Sequence, residues 1–227
     1  DTGCYTGPRG RQDRKEIVRE VWYMAATAVI LDATWEHIVL VYTTLFVSIL
    51  VAVPLAFASL YNRRLASIVM NFANLVQAVP SFAVIAIVVP FLGIGFVPAL
   101  IAIMLRALLP IIKNTYIGLT NVDPALIDYA NGIGLSEWQI LRYIRLPNAY
   151  PAMFAGIKFA AILANSIAVL TAFIGSGGLG EIIFQGLIGY NTGKLLSGAI
   201  PAIVLALLID LSFTLLEKKL TPGYMRQ

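Results

Sequence analysis

Three charged residues, Arg106, Lys158 and Asp210, stand inside long apolar stretches. A charge in such surroundings is costly, so it normally faces a bundle interior or a water-filled path and finds a partner. Counted from the polar ends of their stretches at 1.5 Å per residue, all three lie roughly 10–14 Å inside. That common depth predicts that Asp210 pairs with Lys158 or with Arg106; the alternative is that each side chain snorkels separately to water. Asn165 and Ser166 lie mid-stretch, with Asn165 on nearly the same helical face as Lys158. They either line a path or serve as contacts between helices.

Other chemistry finds little support. One histidine, His37, and one cysteine, Cys4, make neither a nucleophile–base constellation nor a metal set, and an internal disulfide is impossible. The run Gly175-Ser176-Gly177-Gly178-Leu179-Gly180 matches a dinucleotide fingerprint by letter. It lacks the strand before it and the soluble βαβ unit around it that give this pattern its meaning. It reads either as a flexible turn or as an outer gate in which Gly175, Gly177, Gly178 and Gly180 let helices meet. Near Gly193-Lys194 no Walker A spacing is completed, so energy has to come from a partner chain. The aromatic residues could cage a quaternary ammonium group, although belts at a membrane interface explain them more cheaply.

The elements that must hold these residues follow from composition. Of 227 residues 59% are hydrophobic and 12% charged, about half the charged share of soluble domains. The apolar runs are continuous rather than alternating, so the expected fold is an all-α membrane protein with about five transmembrane helices. The spans are expected near 38–60, 65–92 (interrupted at Pro80), 97–118 (containing Pro110), 149–172 and 194–216. Residues 1–37 read as a polar tail and a surface helix. Its apolar part, 21–31, is cut off by Asp32 and Glu36 and falls short of the roughly twenty residues a span needs. A sixth span is the alternative. Residues 217–227 read as a tail.

Between the third and fourth spans, 121–147 carries its own helix punctuation. Asp123 is a good N-cap with Pro124 at the first helical position. The helix should run to about Asn131 and break at Gly132-Ile133-Gly134. Ser136, with Gln139 three residues on, has the spacing of a capping box. Trp138, Leu141 and Ile144 then recur at helical spacing, and Pro147 marks the end. The expected product is a helix–turn–helix suited to docking into a partner. With this segment in the cytoplasm, Arg63, Arg64, Lys113, Arg142, Arg145, Lys218, Lys219 and Arg226 fall on that side and only Lys194 outside, a strong positive-inside bias. The basic N-terminal tail would then lie outside, against the rule.

The same segment resembles the coupling loop of the permeases of ABC importers. In that pattern Glu-Ala-Ala is followed after three residues by Gly, after nine more by Ile, and then by any residue and Leu-Pro. Here Asp128, Tyr129, Ala130, Gly134, Ile144, Leu146 and Pro147 stand at those places. Trp35-Glu36-His37, Gln77-Ala78-Val79-Pro80-Ser81, the run from Leu109 to Tyr116, Val122-Asp123-Pro124 and the Gly175–Gly180 run resemble the glycine betaine/carnitine/choline branch, over nearly the whole chain. Arg106 stands where that branch more usually has an aromatic or apolar residue.

The resemblance implies a type I importer permease in a prokaryotic cell membrane, with the coupling loop and C-terminus cytoplasmic. It implies a second permease copy or paralogue and two ATPase subunits gripping the coupling loop. An external solute-binding protein is expected as a separate chain, since no soluble domain follows Gln227. ATP and Mg would be used by the ATPase, this chain holding no cofactor and no metal and binding no nucleic acid. Within transporters the alternative is a methionine or other amino-acid permease; outside them, an ATP-independent channel or a membrane scaffold.

Overall fold

A computed structural model describes residues 8–220 in backbone and 27–219 in side chain. It is helical throughout. The elements are α1 (Pro8–Tyr61), α2 (Arg63–Ala78), α3 (Ser81–Leu92), α4 (Phe96–Thr120), α5 (Pro124–Gly132), α6 (Glu137–Ile140), a wide π turn (Leu141–Arg145), α7 (Leu146–Thr171), a 3₁₀ turn (Ala172–Ile174), α8 (Leu179–Ile188) and α9 (Thr192–Leu220). Four helical segments are long and apolar enough to cross a membrane: Thr27–Tyr61, Phe96–Thr120, Glu137–Ile174 and Thr192–Lys219. The α2–α3 pair makes a fifth if its two halves, bent by 103°, count as one broken span.

Three boundaries differ from the sequence expectation. No separate surface helix ends at Asp32 and Glu36: α1 runs unbroken from Pro8 to Tyr61. Asp32 and Glu36 are exposed on that helix, so their charges need not be buried and need not end it. Pro147 does not end the coupling helix either. The π turn links α6 to α7, with the Leu146 N–H donating to Leu141 five residues back. Such a turn gives the proline ring, which has no N–H and would press on the carbonyl four residues earlier, the room it needs. Finally, α8 forms a short helix, Leu179–Ile188, in a stretch between the expected fourth and fifth spans to which the sequence assigns no element. The expectations for Cys4 and Arg226, and for the tails before Pro8 and after Leu220, fall outside the described residues.

The bundle centres on α4, packed most extensively on α7 and next on α1. With lipid outside, apolar burial gives little drive for association, so helices gain by approaching closely and maximising packing contacts. The contacts are accordingly made of small residues: Ala99, Ala102, Ala107, Ala160, Ala161, Ala164 and Ala168 are at most 1% exposed. Gly118 sits over Ala149, and Gly156 faces Pro110 and Asn114, where an added Cβ would lie 2.7 Å from Pro110 O and from Asn114 Cβ. Gly156→Ala is therefore expected to destabilise the bundle by about 1–3 kcal/mol, read as a lower melting temperature in detergent. Gly132→Ala, whose new Cβ meets nothing within 4 Å, should leave that temperature unchanged or slightly higher.

Candidate functional site

The residues singled out from the sequence fall into three places. The first is the α2–α3 break. Pro80 cannot continue α2, and the last turn of α2 leaves carbonyls without helical partners. Arg106, reaching over from α4, supplies them. Its Nη1 donates to Val76 O at 3.1 Å, Gln77 O at 3.1 Å and Val79 O at 2.7 Å. A cation at a helix C-terminus also meets the negative end of the helix dipole. Arg106 does not meet Asp210.

The second place joins α7 and α9. Asp210 Oδ1 lies 2.7 Å from Lys158 Nζ, and that ammonium also donates to Thr214 Oγ1 at 2.8 Å. The two side chains remain 26% and 49% exposed, so the pair is open on one side. About two turns along α7, Asn165 is buried and its Nδ2 donates to Ala202 O of α9 at 3.4 Å. Ser166 instead faces outward, its hydroxyl donating back to Ile162 O of its own helix. Asn165 thus contacts another helix, and Ser166 does not join it.

The third is the glycine run. Gly175, Gly177 and Gly178 all have positive φ, between 73° and 78°, a region open to glycine and strained for other residues. The run folds back on α1: the Gly178 N–H donates to Glu36 Oε2 at 3.0 Å. A Cβ on Gly177 would lie 2.5 Å from Glu36 Oε2, and one on Gly180 2.2 Å from Val169 O. The run is a packed corner, and Glu36 and the fully buried His37 are the part of it that sequence reasoning missed. The available signal was Trp35-Glu36-His37, whose carboxylate was read as the end of a helix rather than a loop anchor. Beside this corner, the Phe173 ring packs at a tilt of 59° on Phe82 and 57° on Phe184, with centroids 5.4 Å and 5.9 Å away.

The segment 121–147 stands apart from these. Asp123 accepts from Ala125 N, and Pro124 opens α5. The Ser136–Gln139 capping box is present, with Ser136 N donating to Gln139 Oε1 at 2.8 Å. Gly134 turns the chain at φ 82°. Arg145 ties the segment to the bundle by donating from Nη1 to Leu119 O, in the last turn of α4, at 2.9 Å. Ala130, Ile140 and Leu141 are buried. Ile144, Leu146 and Pro147 are half-buried, and Asp123 and Asp128 are exposed. Tyr129, Ile133, Trp138 and Tyr143 are all more than 60% exposed. Together these large side chains form an exposed apolar surface of the kind that marks interaction sites.

The Lys158–Asp210 pair gives a direct test of charge compensation. Lys158→Met and Asp210→Leu should each cost about 1–3 kcal/mol, since each strands the other polar group. The double variant should cost less than either single one. Additive melting shifts would mean that the two charges do not support each other.

The chain was compared with known proteins. A family model, described as the inner membrane component of binding-protein-dependent transport systems, matches residues 45–222. The carnitine transport permease protein OpuCB of Listeria monocytogenes is 38% identical over 198 residues, 87% of this chain and 91% of that one. The glycine betaine/carnitine/choline transport system permease protein OpuCB of Bacillus subtilis is 39% identical over 193 residues, 85% and 89%. Among solved structures, the MetNI methionine ABC transporter in an inward-facing conformation aligns with a TM-score of 0.76 at 21% identity, over 86% of this chain and 98% of that one, a likeness of fold alone. Its length, its helical architecture and these matches agree: the chain belongs to the family of inner membrane components of binding-protein-dependent transport systems.

Proposed function

We propose that this chain is the permease subunit of an ATP-driven importer of quaternary-ammonium osmoprotectants, with glycine betaine, carnitine and choline as its substrate class. The observation that carries this reading is identity of 36–39% over more than four-fifths of the chain to permeases named for carnitine, choline and glycine betaine transport. Methionine import has only the fold-level likeness at about one-fifth identity behind it.

In this reading the segment 121–147 is the coupling loop, gripped by two ATPase subunits that use ATP and Mg. Its exposed Tyr129, Ile133, Trp138 and Tyr143 supply the apolar docking face. Arg145, bonded to the end of α4, and the unbroken path from the π turn into α7 carry a push on the loop into the bundle. The charge bias supports a cytoplasmic position for this loop and the C-terminus. A second permease, identical or paralogous, covers the outward apolar face of α9, where Ile203, Leu207, Leu211 and Leu215 are more than half exposed. The Gly175–Gly180 corner closes the opposite end, where an external binding protein delivers solute. ATP binding favours one of two arrangements of the bundle and hydrolysis releases it.

Uptake into vesicles holding this chain, its ATPase and its binding protein tests the proposal. Labelled glycine betaine, carnitine, choline and methionine are compared with and without internal ATP, and with Gly134→Val. Left-handed backbone costs a substituted residue about 1–2 kcal/mol, and nothing in the chain lies within 4 Å of the new Cβ, so the bundle should survive while docking does not. ATP-dependent uptake of the quaternary ammonium compounds, reduced at least about tenfold by Gly134→Val, is the expected result. Methionine uptake alone would overturn the substrate class. Uptake indifferent to ATP would favour a channel.

A further inference from the structure

The fold brings a guanidinium to the middle of a span and, among the described residues, gives it no counter-ion. Arg106 is ten residues from one end of α4 and fourteen from the other, about 15 Å and about 21 Å along the helix. Among the described residues the ion pair found is Lys158–Asp210, which already occupies the intramembrane carboxylate. The α2 carbonyls that Arg106 meets offer only a partial charge, about half an electron at a helix terminus. An intramembrane cation so placed marks a functional site with its anion still to be named.

The guanidinium's hydrogen bonds show where that anion would sit. All three fall on Nη1. Nε is buried without a partner, whereas Nη2 is neither bonded nor buried. The Nη1 bonds fix the plane of the group and leave its Nε–Nη2 edge unbonded among the described residues, with Nη2 the exposed prong and Nε covered. That edge is a two-pronged donor whose spacing matches a carboxylate. Lysine has no such edge.

We infer that Arg106 is a specificity-determining residue of the transport path that receives the carboxylate of zwitterionic substrates. The inference rests on the reading of this chain as a quaternary-ammonium permease and divides that substrate class in two. Glycine betaine and carnitine carry a carboxylate beside the quaternary nitrogen. Choline carries a hydroxyl and no negative charge. Arg106 favours the first two over choline, because only they neutralise the guanidinium as they pass.

The test uses the complete transporter in vesicles, with Arg106→Gln and Arg106→Lys beside the unaltered chain. ATP-dependent uptake of each solute is expressed as the ratio of variant to unaltered protein, which removes the preference of the binding protein. Arg106→Gln should lower glycine betaine and carnitine uptake at least about tenfold more than choline uptake, as for loss of a bidentate carboxylate contact, since any loss from the opened α2–α3 break falls on all three solutes alike. Arg106→Lys should fall between, keeping charge without the fork. Melting temperatures in detergent should not track the substrate-specific loss. An equal fall for all three solutes would overturn the inference, showing that Arg106 only props the α2–α3 break or pairs with a second copy. Unchanged uptake of all three would overturn it as well. If the unaltered transporter imports methionine and none of the three, the functional reading fails first and this inference with it.

Discussion

In a membrane, a backbone group released from a helix has no water to turn to. This constraint governs the places where the chain stops being a simple rod. At the Pro80 break the carbonyls of Val76, Gln77 and Val79 go to Arg106. At the end of α4 the carbonyl of Leu119 goes to Arg145. At the glycine corner the N–H of Gly178 goes to Glu36. Each side chain comes from a different element than the break it repairs, so each of these three irregularities is also a tie between elements. Breaks where transport proteins need freedom are thereby made into points that hold the bundle together.

The same accounting separates the three intramembrane charges. Lys158 and Asp210 satisfy each other across α7 and α9. Arg106 is satisfied only on one nitrogen, by dipoles rather than by a charge. A matched pair is a structural device that also selects the relative position of two helices. An unmatched cation invites a ligand. Their similar depth therefore does not mean a similar role.

The surface divides in a comparable way. The α1–α4–α7 centre is buried and rich in alanine, while α9 and the segment 121–147 keep large apolar side chains outward. For α9, lipid is a fitting neighbour, and so is the second permease of the proposed importer. For 121–147, whose first helix precedes the span candidate that begins at Glu137, a protein surface is the fitting neighbour in the proposed importer. The proposed coupling loop is rigid where it meets the bundle, through Arg145 and the π turn, and apolar where it faces outward. That combination suits a lever.

Sequence alone determined whatever depends on near neighbours along the chain. Continuous apolar runs imply spanning helices because lipid permits little else. Asp123-Pro124 and Ser136–Gln139 imply helix starts because a cap is satisfied within three residues, and both caps are present. Boundaries that hinge on distant partners were not legible. Nothing near Glu36 reveals that a glycine N–H 142 residues away will need it. Nothing near Pro147 reveals that a π turn will carry the helix past it. Only the tertiary structure decided between Lys158 and Arg106 as the partner of Asp210, because depth along a helix is local and azimuth around a bundle is not. It likewise sent Arg106 to the carbonyls at Pro80, since a long side chain on one helix answers to backbone groups freed on another.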